Sequence, residues 1–198
     1  MTSSPRSASV NRKTSETSII LTLNLDGEGV ADIRTGIPFF DHMLTLFSRH
    51  GLFDLSVEAK GDIEVDYHHT VEDVGLALGT ALTKALGEKI GIRRYGSAYV
   101  PMDEALARVV VDCSARPFLA YEAPRGVESI GLFPFQLVEE FLRALSVQGG
   151  LTLHASVLAG RDAHHMAEAL FKALGRALDV AVSLDERVKG VPSTKGVL

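Results

Sequence analysis

The sequence predicts an α+β fold: two tandem, duplicated half-domains, each a mixed β-sheet with helices packed on one face. Three observations carry this. His68-His69-Thr70-Val71-Glu72-Asp73 returns as His164-His165-Met166-Ala167-Glu168-Ala169, and the segments from His68 to Leu86 and from His164 to Val182 run in register without a gap. Gly51-Leu52 reappears as Gly150-Leu151, and the turns Gly61-Asp62 and Gly160-Arg161-Asp162 follow at matching distances. Stretches of period-two alternation and of helical period also come in the same order in both halves. Duplication of a unit of roughly ninety residues is the simplest account, with the copies at residues 12–92 and 93–187.

Residues 1–11 are rich in Ser and lack the apolar centre of a signal peptide, so they read as a disordered tail. Ser18 to Leu25 places Ile19, Leu21, Leu23 and Leu25 on one face. Asp26-Gly27-Glu28-Gly29 then supplies turn chemistry before Val30 to Ile33, which reads as a strand hairpin. Gly36-Ile37-Pro38 opens a helix through Phe39, Phe40, Met43, Leu44 and Phe47 that Gly51 ends. Leu52 to Ala59 alternates as a strand, Lys60-Gly61-Asp62 turns, and Ile63 to Tyr67 reads as a short strand. From His68 to Leu86, Val71, Val74, Leu78, Leu82 and Leu86 recur at the spacing of an amphipathic helix.

In the second copy Tyr95 to Val100, Ala105 to Asp112 and Phe118 to Glu122 read as strands. Phe133 to Val147 reads as a helix, Leu151 to Ala159 as a strand, and His164 to Val182 as the second histidine-led helix. Asp103-Glu104 could support a shell position or simply cap a strand, and the cap is the preferred reading. The tail 188–198, with Gly190, Pro192 and Gly196, is polar, irregular and flexible, and with Ser193 and Lys195 it is expected to fold over bound substrate.

Composition narrows the function. An apolar fraction of 46% over 198 residues is enough for a core, and no apolar run approaches the length of a membrane span. The formal charge of -5, with both signs interspersed, argues against a nucleic-acid surface. Arg94, Arg116 and Lys195 are isolated cations that suit a small anionic ligand. The lone Cys113 makes no intrachain disulfide, fits a reducing cytosol, and reads as a small buried strand residue.

The repeated histidines carry chemistry. Residues three apart share a helix face, so His69 with Glu72, and His165 with Glu168, can aim at one ion. His68 and His164 lie about 100° further round and face elsewhere. The preceding helix adds His42. Its counterpart in the second copy falls at Glu139 or Glu140, which gives eight ligands, enough for two metals with four protein ligands each. Nitrogen and oxygen donors without thiolate suit Mn, Fe, Co, Ni or Zn, and six-coordinate manganese would leave positions for a chelating substrate. His50 at a helix end and His154 in a strand read as structural.

On these residues, and on Arg12-Lys13-Thr14-Ser15-Glu16-Thr17, Phe40-Asp41-His42-Met43-Leu44, His50-Gly51-Leu52-Phe53-Asp54-Leu55 and Pro192-Ser193-Thr194-Lys195-Gly196, the chain resembles the imidazoleglycerol-phosphate dehydratase family. The resemblance covers nearly everything from Arg12 to Leu198. It implies the ribosomal protein S5 domain 2-like fold, a cytoplasmic enzyme of histidine biosynthesis with two Mn2+ per chain, and a 24-subunit shell with metal sites between subunits. The substrate it implies is D-erythro-imidazole-glycerol phosphate, which loses water to give imidazole-acetol phosphate. It puts His42, His68, His69, Glu72, His164, His165 and Glu168 at the metals, with Glu140 standing where many members carry a histidine. Glu16, His42, His69 and His165 are the catalytic residues it implies, and Glu16, Arg94, Arg116, Ser193 and Lys195 surround the substrate and its phosphate. Members commonly read Ser-Gly-Arg-Pro where this chain reads Ser114-Ala115-Arg116-Pro117, which makes the backbone before the arginine less permissive.

The dehydration must remove a weakly acidic C–H and expel hydroxide. A substrate imidazolate held between two metals could push electrons towards the departing hydroxyl, while Glu16 takes or relays the proton. Two other readings use the same residues. A dinuclear hydrolase would turn a metal-bound hydroxide on a small phosphorylated substrate, and a metal-stapled assembly protein would leave Glu16, Arg94 and Lys195 without work.

Overall fold

The computed structural model describes residues 6–198, so the part of the expected tail at residues 1–5 lies outside the described residues. The order of elements is β1 (Ser7–Lys13), β2 (Thr17–Asn24), β3 (Ala31–Arg34), α1 (Pro38–Gly51), β4 (Asp54–Gly61) and α2 (His68–Leu86), and then β5 (Tyr95–Met102), β6 (Ala105–Asp112), β7 (Phe118–Glu122), α3 (Leu137–Gly149), β8 (Thr152–Ala159) and α4 (Ala163–Val182). The two sheets have one topology: β1-β2-β4-β3 and β5-β6-β8-β7. In each the first three strands pair antiparallel and the last lies parallel to its neighbour. Identical wiring of the two mixed sheets is the duplication seen in three dimensions.

Four expectations need correction. Ser7–Lys13 is not tail but the edge strand β1, and its whole length pairs with Ser18–Asn24. Ala8, Val10 and Arg12 turn inward while Ser7, Ser9 and Asn11 face out, so a serine-rich run still meets the two-residue period of a half-buried strand. β2 and β3 do not form a hairpin, because β4 lies between them. The intervening loop is stitched to the start of β4 instead: Asp54 Oδ1 accepts from the backbone of Glu28 at 2.9 Å and Val30 at 3.0 Å. Ile63 to Tyr67 is a turn, closed by Val65 N donating to Asp62 O at 2.8 Å. The third helix begins at Leu137 rather than Phe133, because Phe133 and Ile130 pair across a bridge that buries Phe133 ahead of it.

One face of each sheet is covered by helices. β2 buries Ile19, Leu21 and Leu23, and β6 buries Ala107, Val109 and Val111, within a single core that includes both halves. Cys113 is buried just past β6, and burial pushes its thiol up to about 12. The helices cross between halves: α2 packs on α3, and α4 on α1. Two glycines at matching places permit the approach. A Cβ on Gly79 would lie 2.6 Å from Gly149 N, and one on Gly175 would lie 2.5 Å from Phe47 O. Phe40, Phe141 and Phe171 fill the space beside these seams, with ring centroids 5.5 Å and 5.1 Å apart. The crossing brings the first helix of one copy against the histidine-led helix of the other.

Candidate active site

Each His-His pair sits at the N-terminus of its helix beside an aspartate, which is the N-cap of α4 and the residue before the N-cap Tyr67 of α2. Asp162 accepts from the backbone N–H of His164 and His165, and Asp66 Oδ1 accepts from His68 N at 2.8 Å. With the helix start fixed, the first histidine of each pair lies one turn before the glutamate. His164 Nε2 lies 3.0 Å from Glu168 Oε1, and His68 Nε2 lies 3.6 Å from Glu72 Oε2. This corrects the expected pairing of His165 with Glu168 and of His69 with Glu72. The i,i+4 neighbours share the face, and the second histidines turn away.

Glu168 gathers a third group across the α1–α4 seam, His42 Nε2 at 2.9 Å. One donor atom from each of His42, His164 and Glu168 lies within 4.8 Å of the other two. Thus the set joins both halves, where the sequence had suggested one ion per copy. Phe39, stacked edge-on to His164 at 5.2 Å and tilted against Phe133 at 5.1 Å, walls one side. The imidazoles remain 44% exposed while Glu168 is 9% exposed, so the donors open outward from a buried carboxylate. Burial alone would raise the Glu168 carboxyl, but hydrogen bonds from Lys172 at 2.6 Å, His42 and His164 outweigh it and hold it at about 2. Two imidazole nitrogens and one carboxylate, with no thiolate, fit a borderline-hard divalent ion.

The related place in the other half is more open. Glu140, rather than Glu139, shares a cavity of about 180 Å³ with His68, Asp66 and Tyr67. Glu139 lies outside that cavity and bonds to Arg143, which Glu140 also approaches at 3.8 Å.

The second histidines each meet a carboxylate through Nδ1. His69 lies 3.0 Å from Asp62 Oδ2, and His165 lies 2.7 Å from Glu104 Oε2. Both imidazoles are shifted up by these bonds. Glu104 is held down at about 2 by the backbone N–H of Asp162, by His165 and by the backbone N–H of Arg161. Glu104 thus reaches the second histidine of its half as well as ending the turn before β6. Glu16 stands close by on the first copy's hairpin turn, half-exposed and 3.8 Å from His69 Nδ1. Sequence reasoning missed Asp62 and Lys172. The i,i+4 spacing of Lys172 from Glu168 was the available signal for one, and Asp62 had none beyond its turn.

The residues expected at the phosphate gather elsewhere. Arg94 forks onto Asp112 at 2.7 and 3.1 Å and donates to Pro192 O at 2.9 Å. Arg116 Nη2 is 3.6 Å from Asp112 Oδ2 and largely exposed. The irregular tail carrying Ser193 and Lys195 is tied here by Gly91 N donating to Gly190 O at 2.9 Å. Ala115 sits at φ 56, in the left-handed region that favours glycine. Glu104 precedes β6 at one end of the strand and Asp112 closes the other. Seven strand rises, about 23 Å, separate the two ends.

A family model described as imidazoleglycerol-phosphate dehydratase matches residues 35–178. The chain belongs to the imidazoleglycerol-phosphate dehydratase family. Among the family's curated members, the dehydratases of Caldanaerobacter subterraneus subsp. tengcongensis and Thermoanaerobacter pseudethanolicus are 60% and 61% identical over 193 residues, spanning 98% of this chain and 100% of each relative. The crystal structure of the Staphylococcus aureus dehydratase superposes with a TM-score of 0.82 at 40% identity, covering 90% of this chain and 99% of that one. A ligand complex of the Pyrococcus furiosus enzyme gives 0.83 at 39% identity, covering 96% and 100%. Family membership makes this chain a carbon–oxygen lyase, and a metal-dependent one, for which His42, His164 and Glu168 are a fitting donor group. Among the described residues no helix is long and apolar enough to cross a membrane.

Proposed function

We propose that this chain dehydrates D-erythro-imidazole-glycerol phosphate to imidazole-acetol phosphate in histidine biosynthesis, in the cytoplasm, with two Mn2+ per chain. The convergence of His42, His164 and Glu168 from different halves onto one point carries the reading. Seven of the proposed metal ligands are His42, His68, His69, Glu72, His164, His165 and Glu168, and Glu140 is the eighth. Bound there, divalent metals supply Lewis acidity and a template for the azole ring. Glu16, with its carboxylate beside His69 and open to solvent, takes or relays the proton of the C–H bond that breaks. Arg94, Arg116, Ser193 and Lys195 hold the phosphate, the arginines by forked donation and the lysine as a point charge.

Separation of the two groups supports a site shared between copies of the chain. A small phosphorylated substrate cannot span the length of β6, about 23 Å, which favours the phosphate residues of one copy serving the metals of another. The second sheet's outer face supports assembly too. It exposes Tyr95, Tyr99, Val110 and Phe118, where the strands of the first sheet expose one large apolar residue, Ile20, among polar and charged ones. A closed homo-oligomer, the 24-mer of the family resemblance, satisfies both. The test is to incubate manganese-loaded protein with imidazole-glycerol phosphate and follow the enolised ketone product. Release of phosphate instead would favour a hydrolase, and no reaction with metal bound would favour a metal-stapled assembly.

A further inference from the structure

Glu16 and Glu104 occupy one position of the duplicated unit. Each ends a hairpin turn, immediately before β2 in one half and β6 in the other. Their contacts nevertheless differ. Glu104 bonds to His165 Nδ1 at 2.7 Å, whereas Glu16 stands 3.8 Å from His69 Nδ1, whose partner is Asp62 at 3.0 Å. Asp62 follows β4, and the turn that follows β8 in the second half reads Gly160-Arg161, so a cation replaces the acceptor there.

We infer that Asp62 and Glu104 are positioning residues that fix the proton of His69 and His165 on Nδ1 and leave each Nε2 as the metal donor, and that Asp62 releases Glu16 from this task. The inference rests on the reading above that both histidines are ligands. A carboxylate accepting from Nδ1–H selects the tautomer, fixes the ring plane and raises the basicity of the other nitrogen. In the second half the ancestral hairpin carboxylate does this work. In the first half the work has moved to a neighbouring turn, which leaves the hairpin carboxylate free for a substrate proton. One duplicated position has thereby taken two roles.

The two acceptors are built differently, and this makes a sharp test. Glu104 Oε1 is already held by the backbone N–H groups of Arg161 at 3.0 Å and Asp162 at 2.8 Å. In Glu104→Gln the amide oxygen stays with those donors, so the NH2 group faces His165 and drives its proton onto Nε2. Asp62→Asn is free to turn its oxygen to His69 and keep the tautomer. Mn2+ affinity is read by chelator competition, and ligand number by the visible bands of the Co2+-loaded protein. Glu104→Gln should weaken one Mn2+ about 10- to 100-fold and change the Co2+ spectrum, and Asp62→Asn should weaken binding less than about tenfold. Glu16→Gln should lose turnover and keep both metals. Glu104→Asp, which keeps the charge but shortens the reach, should weaken Mn2+ likewise and replaces the glutamine variant if that one folds poorly. Wild-type Mn2+ affinity in both Glu104 variants, or equal weakening by Glu104→Gln and Asp62→Asn, overturns the inference. His165→Ala serves as the control: if it loses metal while the Glu104 variants do not, only the positioning role fails, and if it keeps its full complement, the ligand reading fails with it.

Discussion

Gly175→Ala probes whether the helix seam sets the metal geometry. The added Cβ would lie 2.5 Å from Phe47 O and 3.0 Å from Gly51 N, where ordinary contact begins at 3.4 Å. Both neighbours are backbone, so α4 must retreat from α1 by about 0.9 Å. Overpacking of this kind costs about 1–3 kcal/mol, and replacing a helical glycine by alanine returns about 1 kcal/mol. The net loss is therefore up to about 2 kcal/mol, modest for folding. Metal binding should suffer more. His42 rides on α1 and His164 and Glu168 on α4, and donor distances tolerate only about 0.2 Å, so affinity for this ion should fall at least about tenfold. Gly79→Ala is the partner probe, because its Cβ would strike Gly149 N at 2.6 Å in the α2–α3 seam. Chelator competition in a His42→Ala background separates them: with that site already removed, Gly175→Ala should add nothing and Gly79→Ala should weaken the metal that remains. Equal effects of the two glycine variants in that background would refute the argument that each seam governs its own site.

Other perturbations test other links. In metal-free protein, Glu168→Ala leaves Lys172 without its partner and should lower stability by roughly 3 kcal/mol at neutral pH. The Glu168 carboxyl is held at about 2, below its ordinary value of 4.5. Its contribution is thus present above pH 4.5 and lost as the pH falls towards 2, so thermal melts of wild type and Glu168→Gln should converge over that window. His69→Ala should abolish activity and release one metal equivalent, which elemental analysis would read. Ala115→Gly relieves a left-handed alanine and should raise stability by about 0.5–1 kcal/mol in denaturant titrations. Truncation before Val191 removes the Pro192 carbonyl that Arg94 grips and should raise KM for the phosphorylated substrate while metal content stays constant.

The duplication, both histidine-led helices and most strands are legible in the chain itself. Apolar spacing at Val71, Val74, Leu78 and Leu82 states a period directly, and an in-register repeat of His-His-x-x-Glu states that two helices are one device used twice. The histidines and glutamate of the His42–His164–Glu168 group were legible as candidates for the same reason, since donor chemistry belongs to the side chain. Which donors meet was not. Whether His164 or His165 faces Glu168 depends on the turn where Asp162 starts the helix, and a change of one residue rotates a ligand by about 100°. The partnership of His42 with the second copy depends on a crossing that Gly51 and Gly175 permit at close range, and no local pattern encodes that meeting. β1 escaped because an edge strand with a wet face can be built from serine, and the supposed hairpin failed because β4, distant in sequence, competes for the same edge. The sequence by itself determined the repeat, most of the elements and the chemical kind of the candidate donors. The tertiary structure alone decided their pairing, because contacts between helices of different halves arise from packing over a shared core, a cooperative property of the whole chain.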